Sequence, residues 1–198
     1  MEIITCKDAT EVAEYSFSWL KENIIINKFE KIYLPAGNTP KLLYNLIEKY
    51  ELPLPKLYQI DEVLDGKFLF KNFFIKYLPS YRSNFTWVNE EFTQADIAIL
   101  GLGLNGHVAF HEPSLPKNFK HGVVHLSEKT CDNLNLKNGT EGISYGTQAF
   151  NNCKKILLMV TGENKREILS NLVNKNNTYP ATTLLNHQEL IIVTDIEI

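Results

Sequence analysis

Cysteine is scarce in this chain, and what there is has no pattern. Cys6, Cys131 and Cys153 are odd in number and lack CxxC spacing. That excludes a disulfide-stapled secreted scaffold and a zinc cluster, and reads as three reduced thiols packed like small hydrophobes. Positive excess is missing as well. Twenty Lys and Arg stand against 23 Asp and Glu, for a formal net charge of −3, so there is no field to gather nucleic acid or an anionic membrane, and any phosphate site must be local. No apolar run approaches the roughly 20 residues of a membrane span. Met1-Glu2-Ile3-Ile4-Thr5 carries no basic segment with an apolar stretch behind it. A cytoplasmic protein without membrane or nucleic-acid partners is expected. Internal repeats and linker-like stretches are also lacking, so 198 residues with 44% apolar content read as a single domain, 1–198, with one full core.

Apolar β-type runs alternate with helical patterns. Strands are expected at Lys31 to Leu34, Lys56 to Ile60, Ile97 to Gly101, Val123 to Leu126, Ile156 to Val160 and Leu190 to Thr194. Helices are expected at Thr10 to Asn23, Pro40 to Tyr50, Gly142 to Asn151 and Asn164 to Asn174. Such alternation is the form of an α/β fold, a doubly wound, mostly parallel Rossmann-like sheet flanked by helices. Leu134 to Gly139 and Asn174 to Asn177 read as surface loops with almost nothing to bury.

Chemistry gathers at four strand ends. After the run Ala95 to Leu100, Gly101, Gly103 and Gly106 let the backbone turn tightly around His107, and Glu112 follows five residues later, placed to orient or charge-couple the imidazole. At Pro35-Ala36-Gly37-Asn38-Thr39-Pro40 a strand stops at a glycine and a helix begins, with Thr39 expected as N-cap and Pro40 in the first position. Free N–H groups at that helix start, with the Asn38 and Thr39 side chains, form a cradle for phosphate or carboxylate; ordinary capping explains the same residues. Asp61 and Glu62 sit at a strand end that cannot bury both, so one carboxylate is expected in the cleft and the other bound locally or facing water. Thr161-Gly162-Glu163-Asn164-Lys165 opens a helix with a lysine able to pair with a phosphate.

In order and spacing these four strand ends resemble the glucosamine-6-phosphate deaminase and 6-phosphogluconolactonase superfamily. There, a Gly-(Ser/Asn)-Thr-Pro loop binds the sugar phosphate, an Asp-Glu pair follows the next strand, an Asp-Gly-His loop follows another, and a late lysine reaches the phosphate. Gly37 to Pro40, Asp61-Glu62, Asn105-Gly106-His107 and Lys165 match in turn. Val108-Ala109-Phe110-His111-Glu112-Pro113 is similar to the deaminase form Ile-Ala-Phe-Asn-Glu-Pro, so the likeness is closer to the deaminase branch and runs from about Lys31 to Asp195.

What the resemblance implies is an amino-sugar phosphate isomerase/deaminase that needs no metal and no organic cofactor. Its partner would be a small sugar phosphate, and a homo-oligomer is compatible with it. His107, oriented by Glu112 with Asn105 beside it, would assist ring opening, and Asp61 would carry a proton from C2 to C1. Gly37, Asn38, Thr39 and Lys165 would hold the phosphate, with Glu62 and Gly106 completing the substrate-binding set. The other histidines, His111, His121, His125 and His187, have no such role, although His111 adjoins Glu112 and could touch ligand. Two positions depart from the pattern: Asn105 replaces the aspartate of Asp-Gly-His, and Glu141 stands where deaminases carry a phosphate-binding arginine. The chain is also short between Tyr81 and Gln94 and after Thr194, leaving no room for the extra helices and lid of hexameric enzymes. Lactone hydrolysis on the same scaffold, or a sugar-phosphate sensor without turnover, are the alternatives, and the sequence does not choose between glucosamine and galactosamine configurations.

Overall fold

The computed structural model describes residues 1–175 and 179–198. Seven short strands build one parallel sheet: β1 (Glu2–Thr5), β2 (Lys31–Leu34), β3 (Lys56–Gln59), β5 (Phe85–Thr86), β6 (Ile97–Gly101), β9 (Lys155–Val160) and β10 (Leu190–Thr194), in the order β1-β10-β9-β6-β2-β3-β5. A second, antiparallel sheet places β8 (Glu141–Tyr145) between β4 (Asp61–Val63) and β7 (His121–His125). The helices among the described residues are α1 (Ala9–Ile25), α2 (Lys41–Lys49), α3 (Leu69–Tyr77), α4 (Glu128–Asn133), α5 (Thr147–Asn151) and α6 (Arg166–Val173), with 3-10 turns at Pro79–Asn84, Glu163–Lys165 and Pro180–Asn186. None of the described helices is long and apolar enough to cross a membrane.

The central strands are apolar on both sides because both sides are covered. Ile97 and Ile99 join one core with Leu20 of α1, Leu43 and Tyr44 of α2 and Phe74 of α3. Ala98 and Leu100, pointing the other way, join another with Phe150 of α5 and Leu169 and Leu172 of α6. This is the doubly wound α/β arrangement the sequence pattern calls for. β2, β3 and β5 run outward on one side, β6, β9, β10 and β1 on the other. The order therefore reverses between β2 and β6, and at such a switch point a crevice opens outside the carboxyl ends of the strands.

Several expected elements are corrected. The helix expected over Gly142 to Asn151 is strand β8 followed by the short α5: Gly142, Ile143 and Ser144 are drawn into pairing with both β4 and β7, and Tyr145 with β7. The strand expected to run to Ile60 ends at Gln59, and Asp61 starts β4 in the other sheet. The strand placed at Val123 to Leu126 lies at His121–His125. Thr39 does not cap α2, whose cap position is Pro40 with no side-chain hydrogen bond. Leu134 and Leu136, expected in a surface loop, pack against a third apolar cluster of Val63, Phe110, Val124, Leu126 and Cys131. In the other expected loop, Asn174 and Lys175 form a turn, and Asn176 and Asn177 lie outside the described residues. All three cysteines are free and buried; burial pushes the Cys153 thiol up to about 12, which leaves it unreactive.

Candidate functional site

A cleft of about 560 Å³ opens at the strand-order reversal, and Gly37, Asn38, Thr39, Asp61, His107 and Lys165 all line it. Four separate strand ends thus converge on one space. Phe70, Ala109, Thr130, Asn133, Thr161 and Asn164 line it too.

One end of the cleft is suited to an anion. With Thr39 released from capping, its hydroxyl meets Lys165 Nζ at 3.3 Å and Thr161 Oγ1 at 3.4 Å. Asn38 Oδ1 accepts from Lys41 Nζ at 2.6 Å. Burial lowers the proton affinity of Lys165, and the Asp195 carboxylate works against that. The repulsion expected from Glu141 does not arise. Glu141 lies away from the cleft at the start of β8, with His125 Nδ1 3.5 Å from its carboxylate. The chain's two arginines, Arg82 and Arg166, do not line the cleft either.

The opposite chemistry belongs to Asp61 and its neighbour. Both carboxylates of the pair are buried, against the expectation that a strand end cannot hold two. Their environments differ completely. Glu62 accepts from the backbone N–H of Val63 at 2.9 Å, of Phe70 at 3.0 Å and of Lys71 at 2.7 Å, and from Gln59 Nε2 at 3.0 Å. It is therefore fully used within the fold, and the structure does not bring it to the cleft. Asp61 does line the cleft, and its Oδ1 is buried with no hydrogen-bond partner among the described residues. Burial first, and the Glu62 charge second, push the Asp61 carboxyl well above the usual carboxylate range.

His107 is placed by a tight turn. Gly103 N–H donates to His107 O at 2.9 Å and Gly106 N–H to Gly103 O at 3.0 Å. A Cβ on Gly103 would fall 2.3 Å from His107 Nε2, so only glycine lets the imidazole lie against the backbone there. Gly106 does not line the cleft. It takes a left-handed φ of +78°, and a Cβ on it would strike the Tyr179 ring at 2.5 Å, which makes it a turn and packing residue. Ala109, at φ 52°, sits in the same left-handed region where an L side chain costs about 1 to 2 kcal/mol. Such strain inside a cleft-lining loop marks a conformation imposed by the surroundings.

Glu112 does not orient His107 by a hydrogen bond. Its Oε2 is 3.8 Å from His107 Nδ1, close enough for charge coupling only, and Nδ1 has no hydrogen-bond partner among the described residues. Burial pulls the His107 proton affinity down, and the Glu112 charge works the other way. Glu112 itself is wholly buried and held by neutral donors: Asn105 Nδ2 at 2.9 Å, Thr130 Oγ1 at 2.5 Å and Ser127 N–H at 3.4 Å. Asn105 thus does something an aspartate could not, donating to a carboxylate while its Oδ1 accepts from His107 N–H at 3.3 Å. His111 is buried, its Nδ1 accepting from Thr147 N–H at 3.0 Å, and it does not line the cleft. Thr130 is the residue missed from sequence. Its signal was Ser127-Glu128-Lys129-Thr130, in which Ser127 Oγ accepts from Thr130 N–H at 3.2 Å and caps α4.

Known proteins share this sequence pattern and fold. The family model for glucosamine-6-phosphate isomerases/6-phosphogluconolactonase matches residues 74–192. The glucosamine-6-phosphate deaminase of Clostridium acetobutylicum is 29% identical over 234 residues, covering 98% of this chain and 97% of that enzyme. That of Enterococcus faecalis is 27% identical, with 98% of this chain and 97% of the enzyme covered. An alignment of 234 positions on 198 residues means that this chain spans its relative through internal deletions. Among solved structures, a monomeric glucosamine-6-phosphate deaminase superposes with a TM-score of 0.81 at 21% identity, covering 98% of this chain and 97% of that one. The 6-phosphogluconolactonase of Trypanosoma cruzi gives 0.79 at 17%, covering 98% and 93%. On the family match, the chain belongs to the glucosamine-6-phosphate isomerase/6-phosphogluconolactonase family.

Proposed function

We propose that this chain is a single-domain, cytoplasmic amino-sugar phosphate isomerase/deaminase, which converts a hexosamine 6-phosphate and water to a ketose 6-phosphate and ammonia without metal or organic cofactor. The observation that carries the reading is Asp61: a buried carboxyl of raised proton affinity, one oxygen unpartnered among the described residues, in the same cleft as His107 and a lysine-backed loop. Moving hydrogen between adjacent carbons needs such a base, and a proton affinity above the ordinary carboxylate range suits it to that task near neutral pH.

In the proposed course, Gly37, Asn38, Thr39 and Lys165 hold the phosphate, and His107 moves a proton to the ring oxygen as the C1 hydroxyl gives one up. Asp61 then takes the proton from C2 and returns it to C1, leaving an imine at C2 that water hydrolyses with release of ammonia. Binding a phosphate remote from C1 and C2 contributes through orientation of the open chain. Glu112 and Asn105 act on His107 from behind. The same cleft could bring a water to a lactone carbonyl through His107, a reaction with no task for Asp61. The test is a panel of glucosamine 6-phosphate, galactosamine 6-phosphate and 6-phosphogluconolactone, with ammonia, ketose and acid release measured. Ammonia and ketose in equal amounts are expected, and lactone turnover without ammonia overturns the assignment.

A further inference from the structure

Helix α3 has no cap of its own. Its cap position is Phe68, an exposed residue in the left-handed region at φ 53° whose side chain makes no capping hydrogen bond. The free N–H groups of Phe70 and Lys71 in the first turn go instead to the carboxylate of Glu62, on β4. Gln59 closes the arrangement: its Nε2 donates both to Glu62 Oε2 at 3.0 Å and to the Asp61 carbonyl at 2.8 Å. One side chain thus joins the strand that carries Asp61 to the helix that carries Phe70 into the cleft.

Taking Asp61 as the base of the reaction proposed above, we propose that Glu62 is its positioning residue: its carboxylate clamps β4 to the start of α3 and sets a negative charge beside Asp61. The reasons are geometric. Three backbone donors, two of them at a helix start, together with one side-chain amide, hold the Glu62 carboxylate in one place. Two adjacent carboxyls in one buried place cannot both ionise easily, and it is the Asp61 carboxyl whose proton affinity is raised. Asp61, with an oxygen left bare, is the one that exchanges a proton. Asp61 faces Glu62 on its own strand and Tyr44 on α2, each felt electrostatically. His107 and Lys165 share the cleft, and Ser144, paired with Asp61 on β8, is uncharged.

The test is the pH dependence of kcat/KM for the hexosamine phosphate that the wild type turns over. Glu62→Gln keeps the shape and removes the charge, so the ascending limb set by Asp61 moves about one unit toward acid, and plateau kcat falls about tenfold as the base weakens. Inhibition by inorganic phosphate stays at its wild-type value. Gln59→Leu removes one donor of four and keeps the charge, now less neutralised, so the same limb moves toward higher pH; this variant decides the matter if Glu62→Gln fails to fold. A limb at its wild-type position in the folded variants reduces Glu62 to a structural cap and overturns the proposal. A wild type that releases no ammonia from any hexosamine phosphate overturns the assignment of the site, and this proposal with it, before any variant is made.

Discussion

The two halves of the cleft are built on the same plan with different materials. On each side a buried glutamate is saturated by neutral donors, Glu62 by four and Glu112 by three. Beside each stands a group with a bare atom, Asp61 Oδ1 and His107 Nδ1. Around Glu62 three of the donors are backbone N–H groups, two of them at the start of α3, which no single substitution removes. Around Glu112 they are two side chains, from Asn105 and Thr130, and one backbone N–H. The Asp61 half is therefore fixed by the fold, whereas the His107 half is fixed by replaceable residues and is open to tuning.

The largest effect is expected where the comparison is broken outright. Asp61→Asn should lower turnover by about 10³-fold, as loss of a general base does, while raising thermal stability at neutral pH. The sign follows from the raised proton affinity of this carboxyl in the fold. As pH climbs from the ordinary carboxylate range to the raised folded value, the unfolded chain loses its proton first, and ionisation costs stability that asparagine never incurs. The melting-temperature gap between variant and wild type should widen through that window and stay constant above it; a gap independent of pH would remove the strained carboxyl. Next, Lys165→Ala should raise KM for phosphorylated sugars about 10- to 100-fold, the worth of a charge-assisted contact of about 1.5 to 3 kcal/mol. An unphosphorylated analogue should show no change, and equal losses on both would turn Lys165 into a folding residue.

Thr130→Val sharpens the contrast between halves. The shape is kept and one lone pair of buried Glu112 loses its partner, costing about 1 to 3 kcal/mol of stability. Urea unfolding should show a larger loss than for Gln59→Leu on the other side, where backbone donors remain. Equal losses would erase the distinction. Asn105→Asp takes away the donor to Glu112 and sets a second carboxyl 2.9 Å from it. It therefore costs at least as much stability as Thr130→Val, and the smallest effect is the one it has on the pH profile. An added negative charge near His107 raises the imidazole proton affinity, moving the His107 limb of the pH–rate profile upward by about one unit, worth about 1.4 kcal/mol. An unmoved limb would mean that Asn105 acts through Glu112 alone.

How much of this was legible depends on whether the signal was local. β2, β6, β9 and β10 are short apolar runs with a helix on either face, and their sequences say so. The convergence of Gly37 to Thr39, Asp61, His107 and Lys165 was readable because strand ends in such folds meet at one edge. β8 was not, since Ser144 and Tyr145 are held in a strand by neighbours distant in sequence. α3 carries Phe70, Phe73, Phe74 and Tyr77 at helical spacing, but the usual starting signal is missing because its cap is supplied by Glu62. The same long-range contact explains why Glu62 was misplaced at the substrate. Thr130 and Glu112 lie 18 residues apart, and no pattern within either segment announces their bond.

Ser144 ties the halves together. It pairs with Asp61 across the small sheet, and its Oγ accepts from Phe110 N–H, three residues past His107, at 2.9 Å while donating to the Tyr145 carbonyl at 2.7 Å. Asp61 and the His107 loop are thus bolted to one buried plate. A protein trimmed by internal deletions needs such a plate, because with less material around the cleft there is less to hold two distant loops in step. Through Ser144 the two loops keep one shared anchor in a chain shorter than its relatives.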